Sequence, residues 1–254
     1  MTVKLAKREN LYFVLKIVFT VVVLAAAVAC FDYFRDSPLT MYTSLSVFII
    51  YAVMIWLFIM FQKIYLVAYM KGNGIAVTER QFPEVYETFR KMGEELGLKK
   101  LPRLFVIQQG GALNAFAMRF SGNNYVAIYS DVFELMNSDI DSVKFILGHE
   151  LGHVARHHMS KRFWTFPSSL IPFLTPAYSR ACEYTCDNIG YELAERKSTN
   201  GLLVLAAGKG LYRQVNSASF MEDARENRTM AVKFAGLLMS HPYLPRRIAN
   251  LMRD

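Results

Sequence analysis

Two long apolar segments near the start of the chain constrain its fold most strongly. Residues 11–31 contain one charged side chain, that of Lys16, and residues 42–62 contain none. A helix that crosses the hydrocarbon core of a bilayer, about 30 Å thick, needs about 20 predominantly apolar residues. Each segment therefore predicts a spanning helix, and together they predict a transmembrane hairpin over residues 1–70. The alternative is a buried helix of a soluble core, which seldom contains so long a run without charge.

Charges around these segments predict their orientation. Lysine and arginine flank both outer ends, whereas the connector holds Arg35 beside Asp32 and Asp36. Because basic residues concentrate on the cytoplasmic side of a membrane, we expect both termini and everything after the hairpin to be cytoplasmic. The residues before Cys30 loosely resemble a lipoprotein cleavage box, with alanine where leucine is usual. We interpret this as coincidence, and the sequence leaves lipidation of Cys30 open.

Composition narrows the class of protein. The chain of 254 residues is 53% hydrophobic and has a net charge of +8. This much apolar surface excludes a disordered chain, and three cysteines are too few for a disulfide framework. A basic chain can bind nucleic acid or an anionic membrane. Because the basic residues are scattered or flank the apolar segments, and no stacking motif accompanies them, we expect no nucleic-acid partner.

A second domain is predicted over residues 71–254, after a break at Lys71–Gly74. Apolar periodicity predicts helices over residues 79–98, 139–162, 176–195, 199–215 and 219–240. Short apolar runs predict strands at residues 104–107 and 125–129. The predicted fold class is therefore α+β and mainly helical, with the transmembrane hairpin followed by a domain that contains a small sheet.

Two histidines in the predicted helix 139–162 mark a candidate chemical site. They belong to the motif His149-Glu150-Leu-Gly-His153. His149 and His153 are four residues apart, so they share a helix face and can bind one zinc ion. Glu150 can then take a proton from a water at the zinc. A motif of only five residues also occurs by chance. In that case the two histidines would be structural residues near a helix surface.

The third ligand is expected on the next helix. A metzincin would have a histidine ten residues after His149, but Met159 stands there, so that arrangement is excluded. Glu183 can complete a site of two histidines and one glutamate that leaves the fourth position for water. Asp187, one turn later on the same face, can accept the outer N–H of a ligand imidazole.

Four neighbouring residues are predicted to have no role at the metal. Cys182 and Cys186 lie four residues apart, but no second cysteine pair exists, and we interpret them as small buried hydrophobic residues. His157 continues the face of the two histidine ligands, whereas His158 is predicted to point elsewhere. We interpret both as structural or surface residues.

Taken together, these motifs resemble the HtpX-like and CAAX-prenyl-protease group of membrane zinc metallopeptidases, which are gluzincins. The resemblance extends from about Thr78 to Ile248. The matching elements are the HExxH motif, Glu183 with Asp187 after it and Arg180 before it, Asn114-Ala-Phe-Ala117, and Ser240-His241-Pro242 followed by Arg247-Ile248. No single one of these motifs would be specific, but their combination is.

The resemblance implies a zincin-like domain and a role for each matching residue. It implies one zinc ion per chain on His149, His153 and Glu183, with Glu150 as the general base. Asp187 and Arg180 would support the ligands. His241 and Arg247 would approach the site, where a donor or a cation stabilises an oxyanion. A peptide substrate would add as an extra strand along Asn114, Ala115, Phe116 and Ala117.

The chain departs from the group between the second and third ligands. Proteins of the group often have further membrane spans there, but residues 163–179 are too few to span a bilayer and contain three prolines. We expect an interfacial or cleft-lining loop, and the sequence leaves open whether it is a lid or a membrane contact. Cys186 stands where the group usually has alanine.

The resulting prediction is a membrane-anchored zinc metalloendopeptidase that hydrolyses peptide bonds with zinc-activated water. The resemblance implies work in membrane-protein quality control or processing, on misfolded or membrane-embedded polypeptides. It also implies an integral protein of the bacterial inner membrane, and it leaves a homo-oligomer open. The alternative is a membrane adaptor that keeps the zinc for structure and binds partners without proteolysis. The intact Glu150 argues against an adaptor, since a structural site needs no base.

Overall fold

The computed structural model describes residues 5–33, 38–108, 114–197 and 199–252, which form a mainly helical α+β structure. The α-helices are α1 (Glu9–Tyr33), α2 (Pro38–Asn73), α3 (Pro83–Glu95), α4 (Ser130–Phe133), α5 (Ile140–Ala155), α6 (His158–Trp164), α7 (Leu174–Leu193), α8 (Asn200–Ala207), α9 (Ser217–Glu226), α10 (Met230–Leu238) and α11 (Leu244–Leu251). The strands are β1 (Ile75–Ala76), β2 (Arg103–Ile107), β3 (Ala115–Phe120) and β4 (Asn123–Tyr129). This architecture confirms the predicted fold class.

The two apolar segments form the two longest helices, and both extend beyond the predicted spans. Each is long and apolar enough to cross a membrane. Over an apolar stretch of 18 residues in each helix, 11% of the α1 residues and none of the α2 residues are buried. Core helices of a soluble domain bury their apolar side chains, so this exposure sets α1 and α2 apart from them.

A mixed four-stranded sheet supports the helical domain. Its strand order is β1–β2–β4–β3, with β2 and β4 parallel and the two edge strands antiparallel to their neighbours. One face packs against α3 and α5 in the main core, and the other packs against Val67 and Met70 at the end of α2. Because both faces are covered, the sequences of the two central strands are continuous apolar runs rather than alternating apolar and polar residues.

The structure corrects three of the predicted helices. The helix expected over residues 139–162 ends at Ala155 and restarts at His158, because His157 is left-handed with φ of 55°. The helix expected over 199–215 ends before Gly208, and Tyr212–Gln214 forms a separate 3-10 helix. The helix expected over 219–240 is two helices, and the Thr229 side chain caps the second. Apolar periodicity continues across such breaks, so it does not reveal them.

Helices α5 and α7 cross with their backbones in close approach. A Cβ atom on Gly148 would lie 3.0 Å from the Cα of Gly190, and one on Gly190 would lie 2.5 Å from the carbonyl oxygen of Phe145. One turn along, a Cβ on Gly152 would lie 3.2 Å from the sulfur of Cys186. Small residues at a helix contact let the two backbones approach, and here they bring the face of α5 that carries the histidines against α7.

The substitution Gly190→Ala should therefore separate the two helices. The new methyl group meets backbone rather than a flexible side chain, and overpacking of this kind costs about 1–3 kcal/mol or more. We expect a lower midpoint of thermal unfolding and weaker metal binding. Gly210→Ala is the matched control, since a Cβ there has no atom within 4 Å. Equal stability of the two variants would show that the close crossing is not required.

Candidate metal site

The crossing of α5 and α7 brings three predicted ligands together. His149 and His153 lie on one face of α5, with their Nε2 atoms 3.2 Å apart. Glu183 on α7 faces both: its Oε2 lies 3.4 Å from Nε2 of His149 and its Oε1 lies 3.4 Å from Nε2 of His153. These three side chains, predicted as ligands from the sequence, therefore place two nitrogens and a carboxylate around one point.

This arrangement fits a tetrahedral metal ion. An ion with bonds of about 2.0–2.1 Å to nitrogen and oxygen holds its ligand atoms about 3.3 Å apart, which matches the three separations. In addition, Oε2 of Glu183 is buried and has no hydrogen-bond partner among the described residues. A buried carboxylate oxygen without a partner is costly, and a cation at this point would remove that cost.

The ligands bear opposite charges in the metal-free protein. Burial raises the pKa of Glu183, but the adjacent imidazoles of His149 and His153 outweigh it and hold the pKa well below its usual range. Burial lowers the pKa of His149, but the neighbouring carboxylates of Asp187 and Glu183 outweigh it, so the pKa is raised. A metal ion that binds here must displace the proton from His149.

Asp187 and Arg247 hold His149 from the side away from the metal position. Nδ1 of His149 lies 3.0 Å from Oδ1 of Asp187. Arg247, on α11, donates to both oxygens of that carboxylate, at 2.8 and 2.6 Å. Burial raises the pKa of Asp187, but the charge and hydrogen bonds of Arg247 outweigh it, and the pKa is lowered. The carboxylate therefore fixes the proton of His149 on Nδ1 and leaves Nε2 for the metal.

His158 contacts the other predicted histidine ligand, so the expectation that it points elsewhere is wrong, whereas its interpretation as a structural residue agrees with its burial. The break at His157 turns the chain so that His158 is buried, with its Nδ1 3.0 Å from Nδ1 of His153. Nε2 of His158 lies 3.2 Å from Oε1 of Glu9 in the first turn of α1. Burial lowers the pKa of His158 to about 4. No sequence pattern indicated the contact between His158 and Glu9; the one signal for Glu9 was an acidic residue at the start of an apolar segment.

The remaining predicted residues occupy different places around the ligands. His241 is exposed and its Nε2 lies 3.4 Å from Oε1 of Glu183. Arg247 is buried and engaged with Asp187, so the structure separates these two candidates for oxyanion stabilisation. Arg180 donates to the carbonyls of Leu237 and Met239, at 2.9 and 2.8 Å. It thus holds the segment that leads to His241, and its hydrogen bonds go to that segment rather than to the predicted ligands.

A cleft of about 330 Å³ opens over the three ligands. Glu150, the candidate base, is 8% exposed and lines this cleft beside the ligands. The residues Asn114 to Ala117 line it as well. The candidate base and the candidate substrate strand therefore meet in one cavity, as hydrolysis of a bound peptide would require.

Strand β3 presents a free edge to the cleft. It pairs with β4 on one side, and among the described residues no strand pairs with its other side. The N–H of Tyr129 donates to the carbonyl of Asn114. Because backbone groups of successive residues point to opposite sides of an antiparallel strand, those of Ala115 and Ala117 point away from β4. They are placed to pair with an added strand, although the Asn114 side chain accepts from the N–H of Ala115 here.

The two cysteines of α7 are buried and free, as expected. Burial raises the pKa of Cys182 to about 12 and that of Cys186 well above its usual range. Both are therefore neutral thiols near pH 7. Each also lies in a cluster that could hold a metal, Cys186 with His153 and His158, and Cys182 with His158 and Glu9.

Comparison with known proteins gives one match. A family model described as Peptidase family M48 matches residues 79–167 and 165–253, which together are more than half of the chain. No curated protein and no solved structure matches the chain. The matched region contains the three predicted ligands and the residues that line the cleft, and the match confirms the peptidase family that the motifs indicate.

The contact between Asp187 and Arg247 leads to a prediction. In Asp187→Asn the amide keeps one acceptor oxygen, but its NH2 group faces donors, and the buried Arg247 loses its nearest counter-charge. Breaking a buried ion pair costs about 3–5 kcal/mol, and loss of such a support typically weakens metal affinity about 10–100-fold. Competition with a chromophoric chelator measures the affinity. Asp223→Asn on the exposed face of α9 is the control and should bind metal as the wild type does.

Proposed function

Because the chain belongs to peptidase family M48, we propose that it is a membrane-anchored, zinc-dependent metalloendopeptidase. The observation that carries the proposal is the meeting of a His149–His153–Glu183 ligand set, an adjacent carboxylate and a free strand edge in one cleft. A site that held zinc only for structure would be closed by a fourth protein ligand and would need no base.

Each residue of the site has a proposed task in peptide hydrolysis. Zinc, when bound, would lower the pKa of water and polarise the scissile carbonyl. Glu150 takes the proton from the attacking water and delivers it to the leaving amine. His241, exposed at the cleft, donates to the oxyanion as it forms. Arg247 is committed to Asp187, so we assign it to holding His149 rather than to the oxyanion.

We propose that substrates bind as an extra strand on β3. The outward backbone groups of Ala115 and Ala117 would pair with the main chain of an extended peptide, and the Asn114 side chain would release the N–H of Ala115. Main-chain pairing holds many sequences, and only side-chain pockets add specificity. This binding mode suits unfolded or damaged polypeptides, which expose extended segments, and so agrees with a role in protein quality control.

The membrane location rests on how α1 meets the catalytic domain. The early part of the helix packs against α7, with the rings of Phe13 and Tyr178 6.0 Å apart. Lys16, the one charge in the predicted span, is 1% exposed and donates to Thr175 at 2.8 Å. Charged residues within membrane helices face protein rather than lipid. The protein thus shields the charge that would otherwise oppose insertion of α1.

The length of α1 then determines how close the catalytic domain lies to the membrane. A span of about 20 residues that ends at Tyr33 begins near Val14, where α1 already touches the domain. The surface around that contact must lie at the membrane boundary. It carries an apolar collar of four exposed side chains, Phe163, Trp164, Phe166 and Leu170, which are 63%, 75%, 64% and 73% exposed. Aromatic residues are enriched at such boundaries, so we assign residues 163–179 to membrane contact rather than to a lid.

The test of the peptidase proposal is casein cleavage by the full chain in detergent, after chelator treatment and return of zinc. The wild type should lose activity with the chelator and regain it with zinc. Glu150→Gln should bind zinc equally well but lose about 10²–10⁴-fold in rate, because a general base contributes that much. Glu222→Gln, on the exposed face of α9, is the control and should cleave normally.

Two outcomes would contradict the proposal. Cleavage by Glu150→Gln at the wild-type rate would show that Glu150 is not the general base. Zinc bound in one-to-one ratio without cleavage of casein or of unfolded membrane proteins would instead favour the adaptor.

The apolar collar leads to a prediction about where Trp164 lies in the bilayer. The chain has two tryptophans, so Trp56→Phe leaves Trp164 of the collar as the only one. In vesicles with brominated lipids, its fluorescence should be quenched most by bromine near the headgroups. Trp164→Phe leaves Trp56 within α2, and quenching of Trp56 shows that the helices are inserted. Quenching of Trp56 without quenching of Trp164 would show that residues 163–179 face water.

A further inference from the structure

We propose that Glu9, in the first turn of the apolar helix α1, is a positioning residue for the metal ligand His153 and acts on it through His158. The inference rests on the metal site of the proposed function and adds a residue from outside the region that matches the family. Glu9 and His158 are 149 residues apart in the chain, yet both are buried and in contact.

The metal end of this contact chain fixes the direction of the hydrogen bonds. A histidine that binds a metal through Nε2 keeps its proton on Nδ1. Nδ1 of His153 lies 3.0 Å from Nδ1 of His158, so His153 donates and His158 accepts. His158 must then be a neutral imidazole whose single proton is on Nε2.

The other end independently gives the same direction. Nε2 of His158 lies 3.2 Å from Oε1 of Glu9, and an ionised carboxylate can only accept. Arg156 at 3.0 Å and Lys161 at 4.0 Å supply the positive charge that keeps Glu9 ionised. The side chains of His158 and Glu9 are 3% and 1% exposed, so water does not compete for these hydrogen bonds. The carboxylate therefore sets the tautomer of His158, and His158 sets that of His153.

The hydrogen-bond relay from His153 through His158 to Glu9 resembles the contact of the other histidine ligand, His149. Asp187, held by Arg247, accepts from Nδ1 of His149, and Glu9, held by Arg156, does the same for His153 with an imidazole between them. The difference is the element that supplies the carboxylate. Asp187 belongs to the catalytic domain, whereas Glu9 belongs to the proposed membrane anchor. The N–H of Ala6 donates to Oγ1 of Thr185 on α7 and seats the start of the same helix.

A second metal ion is the alternative use of these residues, since Glu9, His158 and Cys182 also form a cluster that could hold one. Oε2 of Glu9 has no hydrogen-bond partner among the described residues, but Arg156 and Lys161 already face this carboxylate, and like charges at such distances repel a further cation. These charges therefore favour the hydrogen-bond relay from Glu9 through His158 to His153 over a second metal site. The number of zinc ions bound per chain distinguishes the two.

The test measures zinc affinity of the full chain in detergent by competition with a chromophoric chelator. Glu9→Ala removes the acceptor, and His158→Phe breaks the relay in the middle while it keeps the ring volume. Each should weaken zinc binding about 10–100-fold. Because both act through one path, the double variant should bind no more weakly than the weaker single variant. Glu9→Gln keeps an acceptor oxygen and should restore most of the affinity.

The controls separate positioning from general stability. Glu222→Ala makes the same change on the exposed face of α9 and should leave zinc affinity unchanged. Thermal unfolding of the metal-free variants shows the purely structural effect, and the cobalt-substituted absorption spectrum reports the ligand geometry directly. If Glu9→Ala does not fold, His158→Phe decides the outcome.

Three results would overturn the inference. One is zinc affinity and a cobalt spectrum in Glu9→Ala and His158→Phe that match the wild type. Another is two zinc ions in the wild type and one in Glu9→Ala, which would assign these residues to a second metal site. A wild type that binds no zinc would overturn the proposed function as well, whereas the first two results leave it intact.

Discussion

The close crossing of α5 and α7 is the constraint on which the rest of the structure depends. Glycines at positions 148, 152 and 190 let the two backbones approach. Without that approach, the two histidines of α5 would face a glutamate too distant to share an ion with them. The sheet and the outer helices support this crossing, and the cleft lies directly over it.

The crossing also concentrates charge in the interior, and the chain compensates each buried charge with another. Glu183 lies against two imidazoles, Asp187 against Arg247, and Glu9 against Arg156. Buried charges are tolerated when they are paired and hydrogen-bonded. These partners come from α1 at one end of the described chain and from α11 at the other. The site is therefore assembled from the whole fold and not from the HExxH helix alone.

The sequence predicted the parts of this structure that have a local signature. Spacing placed His149 and His153 on one face, and apolar runs located the two central strands. Glu183 and Asp187 were found because they lie one turn apart on a helix. The break at His157 was missed because periodicity reports which face is apolar and carries no information about a single left-handed residue. His158 was misplaced for that reason, and its contact with Glu9 joins residues too distant in sequence for any pattern to pair.

Two imidazoles and a carboxylate are proposed to hold a single metal ion, and the nearby thiols of Cys182 and Cys186 are proposed not to bind it. X-ray absorption at the zinc edge of the zinc-loaded chain tests this most directly. We expect nitrogen and oxygen neighbours at about 2.0–2.1 Å with the scattering pattern of two imidazoles. A sulfur neighbour at about 2.3 Å would contradict this proposal, because it would place the metal on Cys182 or Cys186 instead.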